Sequence, residues 1–101
     1  MYITSDEAKS QLSIAATTTV HDDRIARLIL AAEAWAANYL NAALSDFEDS
    51  PANSPPTIPE DIKSALLLHL EAEFDRDEKQ MELLLKRAHE LLWPHRVGLE
   101  V

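Results

Sequence analysis

Glycine is almost missing from this chain: Gly98 is the only one in 101 residues. A glycine-rich phosphate cradle needs several glycines so that backbone amides can approach an anion, so nucleotide binding by that route is excluded. Cysteine is missing altogether, which removes disulfides and thiolate metal sites and is compatible with a reducing compartment. Apolar runs are short, such as Leu28 to Ala32 and Ala65 to Leu68, whereas a membrane helix requires about 20 such residues. The opening residues Met1-Tyr2-Ile3-Thr4-Ser5-Asp6 lack a basic segment followed by an apolar one, so the expectation is a cytoplasmic chain with no leader and no membrane contact. Aromatic residues make up only 6%, so aliphatic side chains and alanine have to build the core.

Basic residues are scarce as well. Nine Lys and Arg stand against eighteen Asp and Glu, a formal net charge of −9. Residues 1–59 carry three basic and eight acidic side chains, and residues 60–101 carry six and ten. Neither part is a basic patch. Holding DNA requires several phosphate-neutralising cations on one surface, and this chain lacks that surplus. An acidic surface can still lie beside DNA while repelling it.

What is present is helix signal. Thr4-Ser5-Asp6-Glu7 reads as a capping box with Ile3 and Ala8 as its staple, predicting a first helix over about residues 5–12 with Ala8 and Leu12 inward. The threonines at 17–19 read as a loop, because β-branched residues lose side-chain freedom in a helix. Ile14 is expected beneath that loop. Thr19 or Asp22 is expected to cap a second helix, in which Ile25, Leu28, Ile29, Ala32, Ala36 and Tyr39 recur at helical spacing, with Trp35 and Leu40 widening the stripe. Eight alanines between residues 26 and 43 permit close approach of a neighbour. Prolines at 51, 55, 56 and 59 mark a long loop over 45–58. Pro59 reads as the first position of a third helix carrying Ile62, Ala65, Leu66, His69, Leu70 and Phe74. A fourth carries Met81, Leu84, Leu85, Ala88, Leu91 and Leu92 and stops at Pro94. Residues 97–101 alternate and read as an extended arm. The fold class is therefore all-α: one domain over 1–101, a bundle of about four helices with a long Pro-rich loop between helices 2 and 3.

No catalytic constellation emerges. His69 and Glu73 are four apart and could share a metal, but zinc sites ordinarily use three or four protein ligands, and a partly buried helix histidine is the plainer reading. His89-Glu90 lacks the second histidine of a metalloprotease helix. Asp75, Asp77 and Glu78 lack the glycine turn and closing glutamate of a calcium loop. No serine has a nucleophile-elbow signature. The expectation is a non-enzyme without cofactor or metal. Residues placed for contact with other subunits or partners are Trp35 and Tyr39, one turn apart, Phe47 in the loop, and Leu92, Trp93, Arg96, Leu99 and Val101 near the C-terminus. Intramolecular packing is the competing account of the aromatic pair.

The order of these pieces resembles a known family. Ile3-Thr4-Ser5-Asp6-Glu7-Ala8-Lys9-Ser10-Gln11-Leu12 leads to Asp22, Asp23, Ile25, Leu28 and Ile29, then Ala32, Trp35 and Tyr39. A Pro-rich loop follows, then Ile58-Pro59-Glu60-Asp61-Ile62-Lys63-Ser64-Ala65-Leu66, and finally Leu91-Leu92-Trp93-Pro94-His95-Arg96-Val97. This is similar to the small head–tail connector (adaptor) proteins of long-tailed phages and prophages, over about residues 2–97. The resemblance implies a helical bundle whose copies form a ring homo-oligomer beneath the portal protein, extend the DNA channel and dock a tail-completion protein. It implies no catalytic residues, DNA only as passing cargo, and a place in the virion after assembly in the host bacterial cytoplasm. The family's link between the third and fourth helices often holds glycine or proline. Asp75 to Met81 has neither, which predicts nearly continuous helices there. The alternative from the residues alone is a small protein-binding regulator acting through Trp35 and Tyr39 as monomer or dimer.

Overall fold

The computed structural model describes residues 2–48, 56–75 and 77–97. It contains α1 (Ser5–Gln11), α2 (Asp22–Leu40), α3 (Glu60–Asp75) and α4 (Glu78–Leu92), with short 3-10 turns at Leu44–Phe47 and Trp93–His95. Among the described residues there is no strand, and the fold is an all-α bundle. α3 lies in the middle, packed on α1, α2 and α4, while α2 and α4 barely meet. The result is a flat body of 43 × 39 × 17 Å. Leu30 on α2 and Leu83 on α4 remain exposed on this body.

Local chemistry explains most boundaries. Thr4 Oγ1 accepts the Glu7 amide and Glu7 Oε1 accepts the Thr4 amide, both at 3.1 Å, which completes the capping box. Ile3 and Ala8 are buried beneath it. Lys63 Nζ lies 2.5 Å from Glu7 Oε2 and fastens α1 to α3. Burial pushes the Glu7 carboxyl up, but hydrogen bonds from Lys63 and Thr4 and the Lys63 charge outweigh it and leave the group lowered overall. At the other end of α1, Lys9 is only 5% exposed. Its ammonium meets Asp22 Oδ1 at 2.9 Å and the Ala16 carbonyl at 3.2 Å, tying the 13–20 loop between α1 and α2.

Three boundary expectations are corrected. α2 is capped neither by Thr19 nor by Asp22: His21 occupies the N-cap position and gives no side-chain bond. The Asp22 carboxylate is drawn to Lys9 instead, and the His21 ring meets Phe74 edge-on at 5.3 Å. Pro59 is not the first helical residue. α3 starts at Glu60, and the Pro59 carbonyl accepts the Lys63 amide at 3.0 Å. Finally, α3 and α4 are not continuous. Asp77 is extended (φ −82°, ψ 113°), and its carboxylate accepts the Lys79 and Gln80 amides. This N-cap starts a new helix, which folds back along α3.

The end of α2 is closed by residues distant in sequence. Asn41 takes the left-handed conformation at φ 59°, which a short polar side chain tolerates well. The four carbonyls of the last turn would otherwise be orphans. Those of Ala37 and Asn38 accept backbone amides at the cap. The Tyr39 carbonyl accepts Arg96 Nε at 3.0 Å, and that of Leu40 accepts the Val97 amide at 2.9 Å. The end of α3 uses a similar device: Arg24 of α2 donates to the Phe74 carbonyl at 2.8 Å, with its guanidinium 4.5 Å from the Phe74 ring.

The core runs through α2 and α3, with Ile25, Ile29, Leu40, Ile62, Leu66 and Leu70 fully buried and Ile3 and Leu92 closing its ends. The described part of the loop is anchored rather than loose. Leu44 and Ile58 are buried at its two ends, and the Tyr2 hydroxyl donates to Glu48. That hydrogen bond, burial, and the charges of Glu48 and Glu33 push the Tyr2 phenol up to about 12. Most of the Pro-rich segment, residues 49–55, lies outside the described residues, as does the expected extended arm beyond Val97.

Candidate functional site

The densest group of functional side chains sits where α2, α3 and α4 meet. Trp35 and Tyr39 are one turn apart on α2, with ring centroids 6.3 Å apart. Trp35 stacks on His69 of α3 at 4.4 Å, with 26° between the planes. His89 of α4 lies 5.2 Å from Trp35 and 4.7 Å from Tyr39. Arg96 continues the group, with its guanidinium 5.1 Å from the Tyr39 ring and 6.0 Å from Trp93. The Trp35–His69 rings are stacked closely and the Trp35–His89 rings are tilted.

Within this group His69 is the buried member, 7% exposed, and its Nδ1 has no hydrogen-bond partner among the described residues. Burial disfavours the imidazolium and lowers the His69 pKa; the nearby Glu73 carboxylate opposes this and His89 reinforces it. The burial of the ring thus favours its neutral form. Among the described residues no set of three His, Cys, Asp or Glu could hold a metal. The His69 and Glu73 pair thus gains no third ligand there. The arrangement is a packed group of aromatic, imidazole and guanidinium side chains that joins α2, α3 and α4.

The residues singled out from the sequence scatter over two places. Trp35, Tyr39 and Arg96 come together with His69 and His89. Phe47 lies apart, its ring edge-on to His95 at 6.0 Å, and His95 Nε2 is 2.6 Å from Asp61 Oδ2 at the start of α3. Trp93 is 53% exposed and Arg96 is exposed. Leu92 is a correction: it is fully buried in the core, because the last turn of α4 points it inward, so it offers no atoms to a partner. Leu99 and Val101 lie outside the described residues. Sequence reasoning missed the two imidazoles that complete the aromatic group. It also missed Leu30 on α2 and Leu83 on α4, which are 55% and 61% exposed. Both leucines fall out of phase with the buried stripe of their helix, and that phase mismatch was the available signal.

Among the described residues no helix is long and apolar enough to cross a membrane. A sequence model of the family described as Phage gp6-like head-tail connector protein matches residues 2–82. The chain belongs to that family. Comparison with curated proteins and with solved structures gave no match. The head–tail connector family is a structural one of the phage virion, not a known enzyme family. The matched region takes in Trp35, Tyr39, Phe47 and His69 and ends in the second turn of α4. The connector match therefore stops before Leu83, His89, Trp93 and Arg96.

Proposed function

We propose that this connector is a structural subunit whose copies form a ring beneath the portal protein, extend the DNA channel and dock a tail-completion protein. The observation that carries this reading is the family match taken with the open flanks of the helix layer. A ring subunit needs two different faces that fit one another, because head-to-tail contacts alone close into rings. α2 and α4 both pack on α3, and each presents an exposed leucine, Leu30 and Leu83. Trp93, Arg96 and Phe47 lie at the end of the layer where α4 stops, a candidate surface for the next component. Trp35 and Tyr39 act mainly to join three helices and so hold the flanks at a fixed angle.

The net charge of −9 suits a channel through which DNA passes without adhering, since cations on the wall would neutralise phosphates and hold the cargo. No catalytic activity, cofactor or metal is part of this reading, and assembly takes place in the host bacterial cytoplasm. Light scattering across a concentration series, with and without the cognate portal, tests it alongside negative-stain imaging of the largest species. Closed rings with a central hole are the expected result. A stable symmetric dimer that ignores the portal would overturn it.

A further inference from the structure

Asp23 and Arg27 are exposed one turn apart on α2, and Glu82 and Lys86 are exposed one turn apart on α4. None of the four makes an ion pair among the described residues. The two sets have the same spacing and the same order along the chain, an acid and then a base. Laid side by side in one direction, such helices set acid on acid and base on base. Laid antiparallel, they set Asp23 on Lys86 and Arg27 on Glu82. Opposed like charges reject the first arrangement, so the signs alone choose the second.

Shape agrees with the same register. A hollow of about 340 Å³ lies on α2, lined by Arg24, Arg27, Leu28 and Ala31. Leu83 on α4 is 61% exposed. Each step along a helix turns the side chain by about 100°, and Leu83 follows Glu82 as Leu28 follows Arg27. Antiparallel helices keep that turn on the same flank of their contact. Setting Arg27 on Glu82 therefore lays Leu83 over the hollow.

We propose that α2 of one copy receives α4 of a second copy of the chain, antiparallel, with Asp23 at Lys86, Arg27 at Glu82 and Leu83 in the hollow. Each copy then uses α2 toward one neighbour and α4 toward another. Such a contact is heterologous and passes from copy to copy until it closes. The inference deepens the assembly reading and rests on it for the supply of neighbouring copies.

Two charge-reversed full-length chains test the contact. One carries Asp23→Lys with Arg27→Glu, the other Glu82→Lys with Lys86→Glu. Both keep the wild-type net charge of −9, so a change in association reports the pattern of charge and not its total. Sedimentation across a concentration series, with and without the cognate portal, is run beside negative-stain imaging, and urea denaturation checks that each variant folds. Each variant alone should associate about ten-fold more weakly than wild type, the scale of two exposed ion pairs turned into repulsions. An equimolar mixture of the two should regain wild-type association, because each reversed α2 then meets a reversed α4. A chain with all four reversals should regain it as well. If the α2 reversal impairs folding, Arg27→Glu and Glu82→Arg chains, alone and mixed, give the same comparison. Variants that associate like wild type, or mixtures no better than their components, would overturn the proposal. Wild-type rings that the variants form equally well would leave the connector reading standing and remove this contact. Recovery on mixing in open chains, without closed rings, would keep the contact and remove the ring. A wild-type chain that stays single at high concentration and with the portal would overturn both.

Discussion

α3 and α4 lie side by side, are 16 and 15 residues long, and are both rich in leucine, yet they do different jobs. α3 buries Ile62, Ala65, Leu66, His69, Leu70 and Ala72, whereas α4 buries only Ala88 and Leu92. The difference comes from position. α3 has helices on several sides and α4 has α3 mainly on one, so α4 can keep Lys79, Glu82, Leu83, Lys86, Arg87 and Glu90 in solvent. Leucine content alone does not tell the scaffold from the flank; the surroundings of each leucine do. Substitutions that treat equivalent side chains alike in the two helices should therefore give unequal results.

The largest contrast is expected from Leu66→Ala in α3. Leu66 is fully buried among α2 and α3 side chains, and a cavity there should cost about 2–5 kcal/mol. Urea denaturation of the chain and the variant measures the shift directly. A loss no larger than that of an exposed leucine would break the comparison, because α3 would then not be the centre of the layer.

A second test uses pH and the two histidines that meet Trp35. The His69 pKa is lowered in the folded chain, chiefly by burial, so the unfolded chain binds this proton first. The contribution of His69 is fully present above the unfolded imidazole value of about 6.5. It is lost as pH falls from there toward the lowered folded value. Stability measured from pH 8 to 5 should accordingly fall more steeply for the wild-type chain than for His69→Gln. Glu73→Gln should steepen the fall further, because Glu73 is the group that supports the charged ring. Equal slopes for wild type and His69→Gln would mean that α3 does not bury its histidine at this junction.

Much of this layout could be read from residue order. The Thr4 and Glu7 capping box, the stripe from Ile25 to Leu40 and the helical pattern around Ile62 to Leu70 each depend on neighbours within one or two turns, and such information is local. What could not be read is long-range. The closure of α2 by Arg96 and Val97, the Arg24 bond to the Phe74 carbonyl and the pairing of buried Lys9 with Asp22 join residues far apart in sequence or across a loop. The inward turn of Leu92 belongs to the same class, since helical spacing gives a residue's phase but not which side has a neighbour. The aromatic group was half legible: Trp35 and Tyr39 are a turn apart, but only packing brings His69 and His89 to them. The break at Asp77 was misread because the link has no glycine or proline, although Asp is itself a strong N-cap residue.

That break supplies the third test. Asp77→Ala removes the acceptor for the Lys79 and Gln80 amides and should cost about 1 kcal/mol. The loss should appear first as faster amide exchange in the opening turn of α4, with α3 unaffected. Equal acceleration in both helices would show that the hairpin unfolds as one unit and that scaffold and flank are not separable.

The smallest effect on the single chain is expected from Leu83→Ala. The side chain is 61% exposed and makes no part of the buried cluster, so the change in stability should stay within about 0.5 kcal/mol. Its value lies in pairing that small number with a second one. Because α4 exposes this leucine on an outer face, removing it should weaken association between copies, or with the portal, far more than it weakens folding. Sedimentation of the variant beside wild type measures that association, and urea denaturation of the same samples measures folding. A large loss of stability with unchanged association would make α4 a second scaffold helix like α3 and erase the distinction between them.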